Sequence, residues 1–161
     1  MKYPMTREGY DNLKKDLEFL RNTKRPKILA AIEEARAHGD ISENAEYEAA
    51  KEEYQFMQKK IGEIEETLKQ CEVAEIKQNP NGKVDFGGRV FLKNLDTDEE
   101  VVYMVVGPFE SDLEKGRISM SSPLGRALMG KEVGDEVSFS APGGERTYEI
   151  IKIAWPQAAA S

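Results

Sequence analysis

Asp40 and Glu43 stand three positions apart in the stretch Gly39-Asp40-Ile41-Ser42-Glu43-Asn44, a spacing at which two carboxylates can converge. With Asp40 in a turn and Glu43 in the first turn of a following helix, their side chains can converge. Magnesium suits such donors: it takes one or two carboxylates and completes an octahedral shell with water and phosphate oxygens. So few protein ligands hold a free ion poorly. Beside a metal centre that already has ligands, they could hold a second ion and position water for in-line attack at phosphorus. The same pair also fits an ordinary helix start, where acids complement the dipole and cap free N–H groups. Spacing alone leaves both readings open.

Two helical patterns must position this turn. Thr6 suits the N-cap of the first, and apolar residues recur at Tyr10, Leu13, Leu17 and Leu20 with the three–four spacing of a coiled-coil seam. The register slips near Arg25-Pro26 and resumes at Ile28, Ile32 and Ala35. Proline inside a helix removes a hydrogen bond and kinks or restarts it, so a local break is expected there and not the end of the rod. The second pattern, Tyr47, Ala50, Tyr54, Met57, Ile61, Ile64, Leu68 and Cys71, keeps strict alternation. Gly39 stops the first helix and Ser42 can cap the second, and so short a connection makes the pair antiparallel. Roughly 30 residues at about 1.5 Å each give an arm about 45–50 Å long. Charge at the tip of a long rod suits a group meant for insertion into something else. The rod buries one stripe per helix, so its base needs another domain as anchor.

A turn-rich break at Gln78-Asn79-Pro80-Asn81-Gly82 separates the helical patterns from strand-like periodicity. Strands are expected at 72–77, Arg89–Lys93, Glu100–Val106, Arg117–Met120, Glu136–Ser140 and Arg146–Trp155, the last two joined by the Pro142-Gly143-Gly144 turn. Residues 123–130 read as one short helix, capped by Ser122 with Pro123 at its first position. The fold class is therefore α+β: an N-terminal antiparallel helical hairpin followed by a mostly antiparallel sheet domain with one short helix. The expected division is an arm at 1–75 with its tip at 39–44, a linker at 76–82 and a globular domain at 83–161.

The net charge of −7 is spread over both halves. A broadly acidic chain is a poor candidate for free DNA, so any nucleic acid should be brought by another component. The single cysteine, Cys71, forms no internal disulfide, completes the heptad pattern and is expected to be buried and inert. No Cys/His cluster suits zinc. No signal-like or membrane-length apolar run is present, so a reducing, cytoplasmic setting is expected.

The run Ala35-Arg36-Ala37-His38-Gly39-Asp40-Ile41-Ser42-Glu43-Asn44-Ala45-Glu46-Tyr47 resembles the tip signature of the Gre family of bacterial transcript cleavage factors, most closely the GreA type. Further landmarks occur in the family's order: Met5-Thr6 with Gly9, Arg25-Pro26, Asn94-Leu95-Asp96 with Asp98-Glu99-Glu100, Ile118-Ser119 through Ser122-Pro123 to Gly130-Lys131-Glu132, and Pro142-Gly143-Gly144-Glu145. The resemblance implies an FKBP-like globular domain and an arm that enters the secondary channel of bacterial RNA polymerase. It implies an accessory factor, not an enzyme. Asp40 and Glu43 would help hold Mg2+ jointly with the polymerase while the backtracked RNA 3′ end is hydrolysed to a short fragment. The isolated protein is expected to bind no cofactor tightly, to be a monomer and to have no membrane partner.

Asn44, Glu46 and Tyr47 match the signature and are candidate contacts to RNA or polymerase, although Tyr47 also begins the apolar seam. Lys51 and Arg36 are further candidates, with solvated helix positions as the plain alternative. Ser122 and Pro123 fall where the family's docking surface lies, and capping explains the same residues without a partner. Ile41 replaces the leucine common in the family, and His38 is read as an exposed turn residue. An FKBP-like fold raises prolyl isomerisation, but the helix at 123–130 has no aromatic residue and Trp155 lies at the end of the last strand. An inhibitory relative would call for a rearranged tip. A plain coiled-coil adaptor leaves the tip acids unexplained.

Overall fold

The computed structural model describes residues 2–37 and 45–156. These form two compact units, Glu8–Cys71 and a second made of Met1–Arg7 with Glu72–Ser161.

The first unit is the helical arm. Helix α1 (Arg7–Phe19) passes through a π-helical turn (Leu20–Lys24) into α2 (Arg25–Ala37), and α3 (Ala45–Gln70) returns beside them. Arg21 pairs with Glu65 at 2.9 Å, and Arg25 donates to Gln58 at 2.7 Å. Position rises on one helix as it falls on the other, so the hairpin is antiparallel as expected. Leu17, Ile28, Met57, Ile61 and Ile64 form its buried seam, flanked by Leu13, Leu20, Ile32, Tyr54 and Leu68.

The π-helical turn gives the register slip a physical form. A heptad pattern running from Leu17 and Leu20 would resume at position 27, yet the buried residue is Ile28, one position later. A π-turn takes up one extra residue, and here the Arg25 N–H reaches back five positions to the Leu20 carbonyl. Pro26 has no N–H to donate, and its ring would press on the carbonyl four residues earlier in a regular helix. The wider turn accommodates the proline and returns the apolar stripe to the partner helix. The rod continues through the break.

The second unit holds two sheets. Strand β1 (Tyr3–Met5) pairs with β2 (Cys71–Val73). The larger sheet has the order β5-β4-β3-β7-β6, from β3 (Arg89–Asn94), β4 (Glu100–Val106), β5 (Arg117–Ser119), β6 (Glu136–Ala141) and β7 (Gly144–Ala154). Neighbours are antiparallel except β4 and β5, which are parallel. Alternation sends Val90, Leu92, Val105, Ile118, Val137, Tyr148 and Ile150 to one face, where Leu124 and Leu128 of α4 (Pro123–Leu128) complete the core. This is the FKBP-like α+β arrangement expected.

Several boundaries differ from the sequence expectation. Strand β1 is additional; it contains Pro4, which an edge strand tolerates. Its three residues limit β2, expected over 72–77, to Cys71–Val73. Helix α4 stops at Leu128, before Gly130, whose φ of 80° has left the helical region. Residues 1–7 and 72–75, expected in the arm, belong to the sheet unit. The reason is a clasp: Glu110 accepts from the Thr6 N–H at 2.7 Å, from the Thr6 hydroxyl and from the Gly107 N–H at 3.3 Å. Gly107 is needed at this place, because a Cβ there would lie 1.9 Å from the Pro4 carbonyl oxygen. The expected linker at 76–82 also lies within this unit, with its turn closed by the Gly82 N–H donating to the Asn79 carbonyl at 2.9 Å.

Met57 is 1% exposed at the centre of the seam. Met57→Ala is expected to destabilise the arm by about 2–5 kcal/mol, because truncation leaves a cavity that neighbours fill only in part. Urea unfolding followed by helical circular dichroism measures this, and an unchanged transition would contradict the seam's role.

Candidate functional site

Helices α2 and α3 bring the two ends of the connecting segment to the same end of the arm. Asp40, Glu43 and Asn44, with His38, Gly39, Ile41 and Ser42, lie outside the described residues. The flanks are described. Arg36 is exposed in the last turn of α2, and Glu46 is exposed in the first turn of α3. Tyr47 is half-buried one turn before Lys51, and the Lys51 Nζ stands 5.4 Å from its ring centroid. The i,i+4 spacing on one helix face makes this cation–π contact. Among the expected site residues, Tyr47 and Lys51 are therefore brought together.

The seam near this end is made of small residues: Ala35 is 3% exposed and Ala50 8%. Small side chains at these positions permit close approach of the two backbones. Tyr47 continues the sequence stripe of Ala50 and Tyr54, and its ring lies against the lysine.

Ser122 and Pro123 belong to the sheet unit. The Ser122 hydroxyl donates to the Ser119 carbonyl at 2.6 Å and accepts from the Gly125 N–H at 3.0 Å. It is the N-cap of α4, as expected, while Pro123 occupies the first turn with its ring exposed. A Cβ on Gly125 would meet the Ser119 carbonyl oxygen at 2.0 Å, so α4 sits directly on the end of β5.

Sequence reasoning missed the Glu110 clasp. No local pattern marks it, because Thr6 lies 104 positions away. Among the described residues, no group of three or more His, Cys, Asp or Glu is placed to hold a metal ion, so the metal reading rests on Asp40 and Glu43. No described helix is long and apolar enough to cross a membrane.

Residues 3–73 match the family model for the N-terminal domain of transcription elongation factors, and residues 79–154 match that for the C-terminal domain of GreA/GreB. Transcription elongation factor GreA of Sinorhizobium medicae (strain WSM419) is 48% identical over 154 residues, covering 96% of this chain and 98% of its own. The GreA of Hyphomonas neptunium (strain ATCC 15444) is 46% identical over 152 residues, covering 94% and 97%. Among solved structures, GreA factor homolog 1 of Thermus thermophilus is 28% identical, covers 96% of this chain and 99% of its own, and superposes with a TM-score of 0.43.

Ser122→Ala is expected to lower stability by about 1 kcal/mol through loss of the cap. Pro123→Ala, at an exposed position, is expected to leave it nearly unchanged. Thermal melts of the two variants measure the difference, and equal effects would contradict the capping assignment.

Proposed function

This chain belongs to the GreA/GreB family of transcription elongation factors, and from that membership we propose that it acts on bacterial RNA polymerase from within the secondary channel. There the arm's distal end stimulates Mg2+-dependent hydrolysis of backtracked RNA, releasing a short 3′ fragment and restarting arrested complexes. The observation that carries this reading is the arm itself: a two-helix rod with a buried seam, whose helices α2 and α3 flank the segment that contains Asp40 and Glu43. Helix α3 alone has 26 residues, about 39 Å at 1.5 Å per residue. A buried catalytic centre requires a probe of that kind.

The donor chemistry suits magnesium. Asp40 and Glu43 offer hard carboxylate oxygens, too few for a full octahedral shell, so the ion would be held jointly with the polymerase. Bound there, it would activate water and stabilise charge at phosphorus. The chain's own residues place the carboxylates and orient the RNA end. Asn44 offers an amide donor and acceptor, and Glu46 and Tyr47 shape the start of α3. Lys51 and Arg36 supply cations for phosphate oxygens, while Ser122 and the exposed Pro123 contact the polymerase at the channel rim. On this reading the protein is a monomeric accessory factor, and the polymerase supplies the remainder of the active site.

Cleavage of 3′-labelled RNA in a backtracked polymerase complex tests the proposal. Wild type is expected to release short 3′ fragments rapidly when Mg2+ is present. The Asp40→Ala, Glu43→Ala double variant is expected to bind the polymerase and release none. Unchanged cleavage by that variant would sink the mechanism.

A further inference from the structure

The larger sheet has a second face, opposite its core. Val90 and Leu92 point into the core, so Arg89, Phe91 and Lys93 of β3 point the other way. The register sets Met104 and Ala154 beside Arg89, and Val102 and Lys152 beside Phe91. On the far side of Met104 lies Arg117 of β5. Cations from three strands, Arg89, Arg117 and Lys152, thus surround an apolar strip of Phe91, Val102 and Met104. Arg89 and Lys152 are exposed, and Val102 is 43% exposed. The Lys152 Nζ lies 5.3 Å from the Phe91 centroid.

The patch has a boundary. The next row across the sheet is Glu100, Lys93, Glu149 and Glu136, three acids to one cation, and Lys93 also pairs with Asp98 at 3.7 Å. A chain of net charge −7 gives no general reason for cations to gather around a half-exposed apolar strip.

We propose that this face binds single-stranded RNA. Proteins that hold single strands combine a cationic track for the backbone with apolar and aromatic surface on which bases stack. Arginine forks match phosphate oxygens in pairs, and the exposed Arg89 stands on the strand next to the exposed Lys152, one row along the sheet. Lys152 can exchange the Phe91 ring for a phosphate and so free the ring for a base. Double-stranded RNA is recognised by contacts that span successive grooves, which a patch four strands wide does not offer. An acidic helix would need a groove, whereas unstacked bases lie flat on a pleated surface. The inference rests on the sheet unit alone and is independent of cleavage by the tip acids.

Titration of the full, isotope-labelled chain with a short single-stranded oligoribonucleotide at low salt tests this by NMR. Shifts are expected around Arg89, Phe91, Val102, Met104 and Lys152, fading as salt is raised. Arg89→Glu with Lys152→Glu is expected to weaken binding roughly tenfold or more. The Asp40→Ala, Glu43→Ala variant should bind as wild type does. Because charge reversal could disturb the sheet, the Arg89→Gln, Lys152→Gln variant, checked for an unchanged melting temperature, should show the same loss. Absence of shifts on this face, or full affinity in the glutamine variant, would overturn the proposal. Equal shifts from a poly-glutamate peptide would also overturn it, in favour of an acidic protein partner.

Discussion

Each helix of the arm carries one apolar stripe, and neither stripe can leave water without the other. Burying side chains such as Met57, Ile61 and Ile64, each 4% exposed or less, contributes about 1.5–3 kcal/mol apiece. An isolated helix gains little of this, and most helical stability in proteins comes from packing an amphipathic face. The salt bridge and hydrogen bond across the pair, Arg21 with Glu65 and Arg25 with Gln58, are exposed and add little. They fit the register that the seam sets. Everything proposed for the distal end depends on that seam holding a fixed reach, and the π-helical turn keeps it continuous past Pro26.

The sheet unit is fixed by different means. Its core is a sandwich of sheet and one short helix; the N-terminal strand pairs with β2, and Glu110 accepts hydrogen bonds from Thr6 just after it. A carboxylate that accepts hydrogen bonds in this way ties the segment before the arm to the unit after it. Close backbone approach at Gly107 and Gly125 sets the spacing of β1 and α4. The same sheet leaves its other face to solvent, and the register sorts that face into a cationic, apolar half and an acidic half.

Much of this was legible in the sequence because it rests on local periodicity. The three–four alternation from Tyr47 to Cys71 gave α3 and its buried residues, and the slip near Pro26 marked the π-turn without revealing its form. Strands β3, β4 and β6 followed from period-two alternation, and Ser122-Pro123 marked the start of α4. What escaped depends on distant partners. Strand β1 is three residues long and exists because β2 is there to pair with it. Glu110 gains its role from Thr6, and the cationic face appears only when strand order and register bring Arg89, Arg117 and Lys152 together. At the candidate site, Asp40 and Glu43 rest on spacing and the family signature, whereas the contact of Lys51 with Tyr47 needed the helix to be built.

On the proposed function, the seam delivers the tip carboxylates at a set distance. Removing one matched heptad from each helix, residues 27–33 and 52–58, tests it most directly. A seven-residue deletion lets the stripes re-form while shortening the arm by about 10 Å. The shortened protein, with Asp40 and Glu43 intact, would be assayed for polymerase binding and for 3′ fragment release from a backtracked complex. Retained binding with no fragment release is the predicted result. Release at the wild-type rate would contradict the claim that reach governs the tip's action.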